Sequence, residues 1–250
     1  MVIPAYNEAS RIERTLRETL SYLTNQTYSW ELIVVDDGSS DETASVVEAF
    51  LAETPDARLL SYAKNGGKGK AVRTGITASS GRYVLFMDAD NSTPIREVEK
   101  AWPLVVEEGI DLVIGSRGLE SSNIQRRQPL YRKLGSWIFK WFHRLTIGVR
   151  FIEDTQCGFK ILQGDVARWL FSHMRIDGYM FDIEVLYLAN KLGYTIREFP
   201  VAWENDPDSR LRLFYDTARM FKHLAAIRLR SLKSLRDAQK GLTHGVNPVD

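Results

Sequence analysis

The sequence predicts an α/β domain with a mostly parallel central sheet flanked by helices. Short apolar runs, each about as long as a buried strand, alternate with longer segments of helical periodicity. The runs are continuously apolar, as expected for strands that helices cover on both faces. Strands that are connected through helices run parallel and cross over in the right-handed sense. A sheet of this kind binds its ligands beyond the carboxyl ends of its strands.

The first elements are predicted by apolar runs and by the turn residues that end them. Residues 2–4 read as the end of a buried strand, and residues 31–35 form a second one. A polar turn follows at residues 36–40, and acidic residues then open a helix that runs to about residue 51. Residues 58–62 are a third strand. The glycine-rich turn at 65–69 precedes a helix at 70–78.

The later elements repeat this alternation. Residues 83–87 and 111–115 are predicted strands on either side of a helix at 94–106, and 195–202 is a further strand. Residues 211–236 have a long helical pattern rich in Arg and Lys. The 250 residues therefore divide into an α/β domain at 1–205, an amphipathic helical segment at 206–240 and a tail at 241–250.

The composition is that of an ordinary globular protein and excludes several classes. Apolar residues make up 44% of the chain and charged residues 26%, and the formal net charge is +1. No overall basic field for nucleic acid is expected. The single cysteine, Cys157, excludes an intramolecular disulfide and a cysteine metal cluster, and it fits a reducing compartment. We expect no signal peptide before Val2 and no membrane-spanning helix, since no run of 18 apolar residues occurs.

Polar or glycine residues end five of the predicted strands. These ends are Asn7–Glu8, Asp36–Asp37, Asn65–Gly66, Asp88–Asp90 and Ser116–Arg117. Any one of them is equally well explained as an ordinary polar turn. Because the carboxyl ends of parallel strands meet at one edge of the sheet, the five together favour a binding edge.

Two carboxylates, Asp88 and Asp90, stand one residue apart at the end of the strand at 83–87. Hard oxygen ligands of this type suit Mg²⁺ or Mn²⁺, which also bind substrate phosphates. The alternative is a pair of solvated turn aspartates, or a helix cap before Pro94. The D-x-D pattern does not decide between them without its context.

The glycine-rich turn is a second candidate for contact with a phosphate. It differs from a Walker A loop, because Ala71 stands where a Ser or Thr would bind magnesium. Lys68 nevertheless lies where this turn meets a helix start, a place that suits a phosphate. Asp37, at another strand end, is predicted either to contact a base or ribose or to cap the helix that begins near Asp41.

Six motifs in order carry a resemblance to a known family. They are VIPAYNEA, VVDDGSSDET, NGGKGKAVRTG, FMDAD, GSR and DTQCGFKIL. Together they resemble the family 2 glycosyltransferases of GT-A fold, and within them the dolichyl-phosphate (polyprenyl-phosphate) β-glucosyltransferases, cousins of the dolichyl-phosphate mannose synthases. The resemblance implies inverting, metal-assisted transfer of glucose from UDP-glucose to a polyprenyl phosphate at the cytoplasmic membrane surface.

The resemblance also implies a role for each matching position. Pro4, Tyr6, Glu8, Asp37 and Gln156 would contact the nucleotide sugar, Asp88 and Asp90 would hold Mg²⁺ or Mn²⁺, Arg117 with Arg132 and Ser136 would bind the acceptor phosphate, and Asp154 would lie near the sugar. Mannose synthases often carry Gln where Ser92 stands here, which favours glucose over mannose. Two alternatives stay open: mannosyl transfer from GDP-mannose, and a non-catalytic membrane-associated protein that binds nucleotide sugars.

A lipid acceptor requires the enzyme to come to the membrane surface. The basic and aromatic segment 126–147 suits contact with anionic headgroups, and the pattern at 211–236 offers a second such surface. The alternative is that both are ordinary amphipathic helices packed on the sheet. The oligomeric state is not predicted.

An acceptor phosphomonoester is mostly a dianion near neutral pH, since its second pKa is about 6. Such a nucleophile needs neutralisation of its charge more than it needs a general base. We therefore expect Asp154 to organise the site and not to act as an obligatory base.

Overall fold

The computed structural model describes residues 1–119, 121–124, 151–204 and 227. The predictions for the segments 126–147, 206–240 and 241–250, including those for Arg132 and Ser136, lie outside these residues. Within the described part, no helix combines the length and the apolar character that crossing a bilayer requires.

The described part of the chain contains nine strands and six α-helices, which alternate as far as residue 116. The strands are β1 (Val2–Ala5), β2 (Leu32–Asp36), β3 (Ala57–Ser61), β4 (Tyr83–Met87), β5 (Leu112–Ser116), β6 (Asn123–Ile124), β7 (Phe159–Gln163), β8 (Ile196–Pro200) and β9 (Ala202–Trp203). The helices are α1 (Ile12–Leu23), α2 (Thr43–Leu51), α3 (Lys68–Ala78), α4 (Val98–Val106), α5 (Gly164–His173) and α6 (Phe181–Leu192). A 3₁₀ turn, Ile95–Glu97, precedes α4.

Seven strands form the central sheet, in the order β3-β2-β1-β4-β7-β5-β8. Strand β7 pairs antiparallel with β4 and β5, and the other neighbouring pairs in this sheet are parallel. Strands β6 and β9 form a separate parallel pair. The predicted α/β class with a mostly parallel sheet is confirmed.

Helices cover both faces of the sheet, so alternate residues of one strand enter two different cores. In β2, Ile33 and Val35 pack with side chains of α3, α5 and α6, whereas Leu32 and Val34 pack with those of α1, α2 and α4. All four are fully buried. This explains why the strand reads as a continuous apolar run. With both faces covered, the strand ends and the loops that follow them are left to form a site.

Some elements differ from the sequence predictions. Helix α1 was not predicted, and neither was β7, where the residues were treated as part of a motif. Strand β7 escaped recognition because Lys160 interrupts its apolar run, yet this lysine is only 1% exposed. The predicted helix at 70–78 begins earlier, at Lys68.

The antiparallel direction of β7 has a consequence for the site. The parallel strands β1 to β5 end at one edge of the sheet, and β7 begins at that same edge. The segment 154–158, which immediately precedes β7, therefore lies between the ends of β4 and β5. The backbone N–H of Asp88 accordingly donates to the carbonyl of Gly158 over 3.0 Å.

Candidate active site

Asp37 lies at the end of β2 and joins that strand to the glycine turn before α3. Its carboxylate accepts hydrogen bonds from the backbone N–H groups of Gly66 and Gly67, each over 2.8 Å, and from the side-chain amide of Asn65 over 2.9 Å. Burial raises the pKa of Asp37, and these N–H groups partly offset that effect. Asp37 therefore holds the glycine turn at the edge where a nucleotide contact was predicted.

The loop after β1 lies beside the end of β2. The backbone N–H of Glu8 donates to the hydroxyl of Thr43 over 2.7 Å, and the Glu8 carboxylate forms an ion pair with Arg11. Tyr6 is 39% exposed at this edge, whereas Pro4 is buried within β1. The backbone N–H of Asp37 donates to the carbonyl of Ala5 over 2.8 Å, so the loop that carries Tyr6 and Glu8 begins beside Asp37, whereas Pro4 is covered within the sheet.

The acidic pair follows β4. The Asp88 carboxylate forms an ion pair with Lys68, with 2.6 Å between Oδ1 and Nζ, and both side chains are partly exposed. The Asp90 carboxylate accepts a hydrogen bond from the backbone N–H of Ser92 over 2.9 Å. Burial, and secondly the negative charge of Asp88, raise the pKa of Asp90. Two carboxylates that disfavour each other's charge form a site that attracts a cation.

Gly158 makes the space that the Asp88 side chain occupies. A Cβ at position 158 would lie between 2.0 and 2.4 Å from the three terminal atoms of the Asp88 carboxylate. Real Cβ contacts do not come this close, so any larger residue would displace Asp88. The glycine of the DTQCG motif is therefore needed for the position of the first carboxylate of the D-x-D motif.

The pairing of Lys160 with Asp182 in the interior was not predicted from the sequence. Lys160 of β7 donates to Asp182 over 2.5 Å and to the carbonyl of Cys157 over 2.7 Å. The two charged side chains are 2% and 4% exposed. Burial raises the pKa of Asp182, and the ammonium groups of Lys160 and Lys68 act against that effect. The lysine inside the apolar run at 159–162 was the sequence signal for this pair.

Arg117 and Asp154 form a second charged group at the end of β5. The guanidinium donates from Nε over 2.6 Å and from Nη2 over 2.9 Å to the two carboxylate oxygens, and the backbone N–H of Arg117 adds a third bond over 3.0 Å. Burial opposes ionisation of Asp154, but the Arg117 guanidinium outweighs it and lowers the pKa of Asp154 to about 2. Asp154 is ionised at neutral pH and fully engaged with the arginine.

Further contacts hold this pair in place. The Glu198 carboxylate accepts hydrogen bonds from the backbone N–H groups of Glu153 and Asp154, each over 2.8 Å. The indole ring of Trp203 lies 5.3 Å from the Arg117 guanidinium carbon, within cation–π range. Burial opposes the charge of Arg117, but Asp154, with a smaller contribution from Asp88, raises its pKa. The arginine is therefore a cation that is fixed by Asp154 and Trp203.

Gln156 and Cys157, also in the segment 154–158, differ from each other in exposure. Gln156 is partly exposed beside Asp154, and its backbone N–H donates to the Asp154 carboxylate over 3.4 Å. Cys157 is buried, and burial raises the pKa of its thiol to about 12. A neutral, inaccessible thiol is a packing residue and not a nucleophile.

The donor set at the acidic pair fits a divalent cation that is held mainly by a substrate. The described residues contain no cluster of three or more His, Cys, Asp or Glu side chains arranged to hold a metal. Two carboxylates are nevertheless the usual protein contribution when Mg²⁺ also binds substrate phosphates. The position of Asp88 that Gly158 allows and the raised pKa of Asp90 agree with a cation here.

Comparison with known proteins places this geometry in a family. The sequence model described as "Glycosyl transferase family 2" matches residues 1–163. The chain is 41% identical over 226 residues to a dolichyl-phosphate beta-glucosyltransferase of Trichomonas vaginalis, a match that covers 85% of this chain and 65% of that protein. It therefore spans less than two thirds of the length of that relative.

Two further relatives bear the same name and are matched over more of their length. The chain is 35% identical to the dolichyl-phosphate beta-glucosyltransferase of Dictyostelium discoideum, covering 93% of this chain and 74% of that protein. It is also 35% identical to that of Homo sapiens, with coverage of 93% and 75%.

Solved structures show the same fold. Glucosyl-3-phosphoglycerate synthase from Mycobacterium tuberculosis superposes with a TM-score of 0.66 at 24% identity, covering 91% of this chain and 79% of that one. The same enzyme crystallised with Mn²⁺, UDP-glucose and phosphoglyceric acid gives a TM-score of 0.63 at 26% identity, with coverage of 91% and 77%. The GT-A fold predicted for the chain is confirmed.

Proposed function

The chain belongs to glycosyl transferase family 2, and we propose on that basis that it transfers glucose from UDP-glucose to a polyprenyl phosphate such as dolichyl phosphate. Inversion at the anomeric carbon and assistance by Mg²⁺ or Mn²⁺ are part of the proposal. The relatives named as dolichyl-phosphate beta-glucosyltransferases support this choice of donor and acceptor.

One observation carries the proposal: a fixed arginine and an acidic pair share one edge of the sheet. Arg117 follows β5 and Asp88 follows β4, with the amino end of β7 between them. The negative charge of Asp88 contributes to the raised pKa of Arg117, so the two groups lie within one electrostatic site. The acceptor phosphate and the donor diphosphate are both anions, and each needs its own cationic partner.

Arg117 suits the acceptor phosphate. A guanidinium stays charged and binds phosphate oxygens through a planar fork of N–H groups. Asp154 occupies Nε and one N–H of Nη2 and so fixes the orientation of the group. The phosphate would then be bound by the outer N–H groups of Nη1 and Nη2. A phosphate dianion is already a competent nucleophile. Attack in line with the departing diphosphate inverts the anomeric centre, and Asp154 is not needed as a base.

Asp88 and Asp90 suit the donor side. A divalent cation held by these carboxylates would neutralise the charge that develops on the departing nucleoside diphosphate. Lys68 already lies against Asp88 and presents a second cation to the same place. Asp37 and the glycine turn border this region, and we assign the nucleotide to them together with Tyr6, Glu8 and Gln156.

The acceptor also determines where the enzyme works. A polyprenyl chain has tens of carbons, and each buried CH₂ contributes about 0.8 kcal/mol to its retention in the bilayer. The substrate does not leave the membrane, so we propose that the protein acts at the cytoplasmic membrane surface. Segment 126–147, with Arg132 and Ser136, is the proposed contact and lies outside the described residues.

The decisive experiment is a donor panel. The protein is incubated with polyprenyl phosphate, Mg²⁺ or Mn²⁺, and radiolabelled UDP-glucose, GDP-mannose or other nucleotide sugars, and labelled lipid is extracted. Product from UDP-glucose, abolished in Asp88→Asn, is the expected result. Product only from GDP-mannose would show that GDP-mannose, and not UDP-glucose, is the donor. No product from any donor would favour the non-catalytic alternative.

A further inference from the structure

Four charged side chains of alternating sign connect the acidic pair to the interior. Asp88 pairs with Lys68, and Lys160 pairs with Asp182 behind them. Both Asp88 and Asp182 act on Lys68: burial opposes its charge, but the two carboxylates outweigh this and raise its pKa. Asp88 is partly exposed at the site, whereas Asp182 is buried in the interior.

The two ion pairs, Lys68–Asp88 and Lys160–Asp182, differ in how firmly they are held. Asp182 is anchored, because Lys160 makes hydrogen bonds to it and to the Cys157 carbonyl, and the ammonium group also lies 5.1 Å from the Phe86 ring centre. The Lys68–Asp88 pair is held less firmly, because its side chains are 21% and 33% exposed, whereas those of Lys160 and Asp182 are 2% and 4% exposed. A divalent cation can therefore replace the Lys68 ammonium as the partner of Asp88.

The backbone around Lys68 is fixed, so only its side chain is free to exchange partners. A Cβ on Gly69 would lie 2.7 Å from the Cβ of Phe181 and 2.6 Å from the Ile176 carbonyl oxygen. The N–H of Lys70 donates to the Asp177 carbonyl over 3.2 Å. The first turn of α3 is thus packed directly against the start of α6, where Asp182 lies.

We propose that Lys68 is the resident counter-cation of Asp88 and competes with the divalent metal for this carboxylate, while the buried Asp182–Lys160 pair positions the Lys68 ammonium and accepts it when the metal enters. Metal binding and diphosphate binding are then coupled: the ammonium that leaves Asp88 stays in the site and faces the incoming diphosphate. Asp182 is a positioning residue in this scheme, since it acts through Lys68. The inference rests on the proposed function for the identity of the diphosphate, but not for the competition itself.

The test measures Mn²⁺ binding to the full chain without nucleotide, from the electron paramagnetic resonance signal of free Mn²⁺. Lys68→Met is expected to bind Mn²⁺ about fivefold more tightly, the factor that corresponds to roughly 1 kcal/mol for a partly exposed ion pair. Lys70→Met is the matched control: it removes the same charge two residues away, where the ammonium lies over the Tyr62 ring, and should leave Mn²⁺ affinity unchanged.

A second measurement separates competition from a merely structural role. Calorimetric titration with UDP should show weaker binding in Lys68→Met, opposite in sign to the effect on Mn²⁺. Loss of both affinities, or unchanged Mn²⁺ affinity, would overturn the inference. Because the Mn²⁺ titration contains no nucleotide, it is informative even if the donor panel contradicts UDP-glucose.

The role of Asp182 is tested by a double-mutant cycle. Asp182→Asn keeps an acceptor for Lys160 and should weaken Mn²⁺ binding in the wild-type background, because Lys68 then has Asp88 as its main carboxylate partner. In the Lys68→Met background the same change should have a much smaller effect. Equal effects in the two backgrounds would show that Asp182 does not act through Lys68. Circular dichroism melting confirms that each variant is folded.

Discussion

The Asp154 carboxylate holds the Arg117 guanidinium at two points, with 2.6 Å between Oδ2 and Nε and 2.9 Å between Oδ1 and Nη2. Arg117 directly follows β5, Asp154 lies in the loop that precedes β7, and the antiparallel direction of β7 brings the two together. A carboxylate that is committed to an arginine in this way is a poor proton acceptor, because its pKa is low. The pair therefore orients a cation and does not supply a base.

The first prediction concerns the contributions of Asp154 and Asp88 to catalysis. Asp154→Asn should lower kcat/KM for the polyprenyl phosphate by about 10-fold, the cost of losing an orienting partner. Asp88→Asn should cost about 100-fold or more, because it removes charge stabilisation of the leaving group. Steady-state kinetics with both substrates varied measure the two effects. Equal losses in the two variants would contradict this division of roles.

The second prediction concerns acid stability. The folded-state pKa of Asp154 is about 2, below its ordinary value of 3.8. The ion pair between Asp154 and Arg117 therefore stabilises the fold fully at pH values above 3.8. That contribution, about 2 kcal/mol at neutral pH, is lost as the pH falls through the folded-state pKa. The difference in unfolding free energy between wild type and Asp154→Asn should be about 1 kcal/mol smaller at pH 3 than at pH 6. Urea unfolding at the two pH values measures it, and a constant difference would contradict the linkage.

The third prediction concerns the space beside Asp88. Gly158→Ala places a Cβ within 2.4 Å of the carboxylate atoms, so Asp88 must move. We expect Mn²⁺ affinity to fall about 10-fold, with activity falling in parallel, since outer-shell changes at metal sites typically have effects of this size. Gly178→Ala is the control, because a Cβ there meets nothing within 4 Å. Unaltered Mn²⁺ affinity in Gly158→Ala would show that Asp88 does not contribute to the metal site.

The fourth prediction concerns the buried pair behind the site. Lys160→Met leaves the Asp182 carboxylate buried without its partner, which should cost about 3–5 kcal/mol of unfolding free energy. Lys160→Met combined with Asp182→Leu removes both charges and should be clearly more stable than the single variant. Urea denaturation of both proteins measures the difference. A double variant less stable than Lys160→Met would contradict the expected cost of burying the Asp182 carboxylate without Lys160.

Local sequence patterns were enough to predict the class of fold and the residues of the nucleotide and metal side of the candidate site. Continuous apolar runs between helical segments predicted the parallel strands, because burial on both faces leaves no room for polar residues in a strand such as β2. The polar residues after these runs predicted the binding edge, because parallel strands end together. Asp37, Lys68 and Asp88 were found in this way, and their assigned roles stay predictions.

The other features of the site depend on long-range packing. No local rule predicts that Lys160 pairs with Asp182, that β7 runs antiparallel between β4 and β5, or that Gly158 makes room for Asp88. These are relations between residues far apart in sequence, and they depend on which strands become neighbours. The charges of Lys68, Asp182 and Lys160 become one connected row only when α3, α6 and β7 are packed together. Electrostatic coupling depends on distance in space, and that distance is set by the tertiary fold.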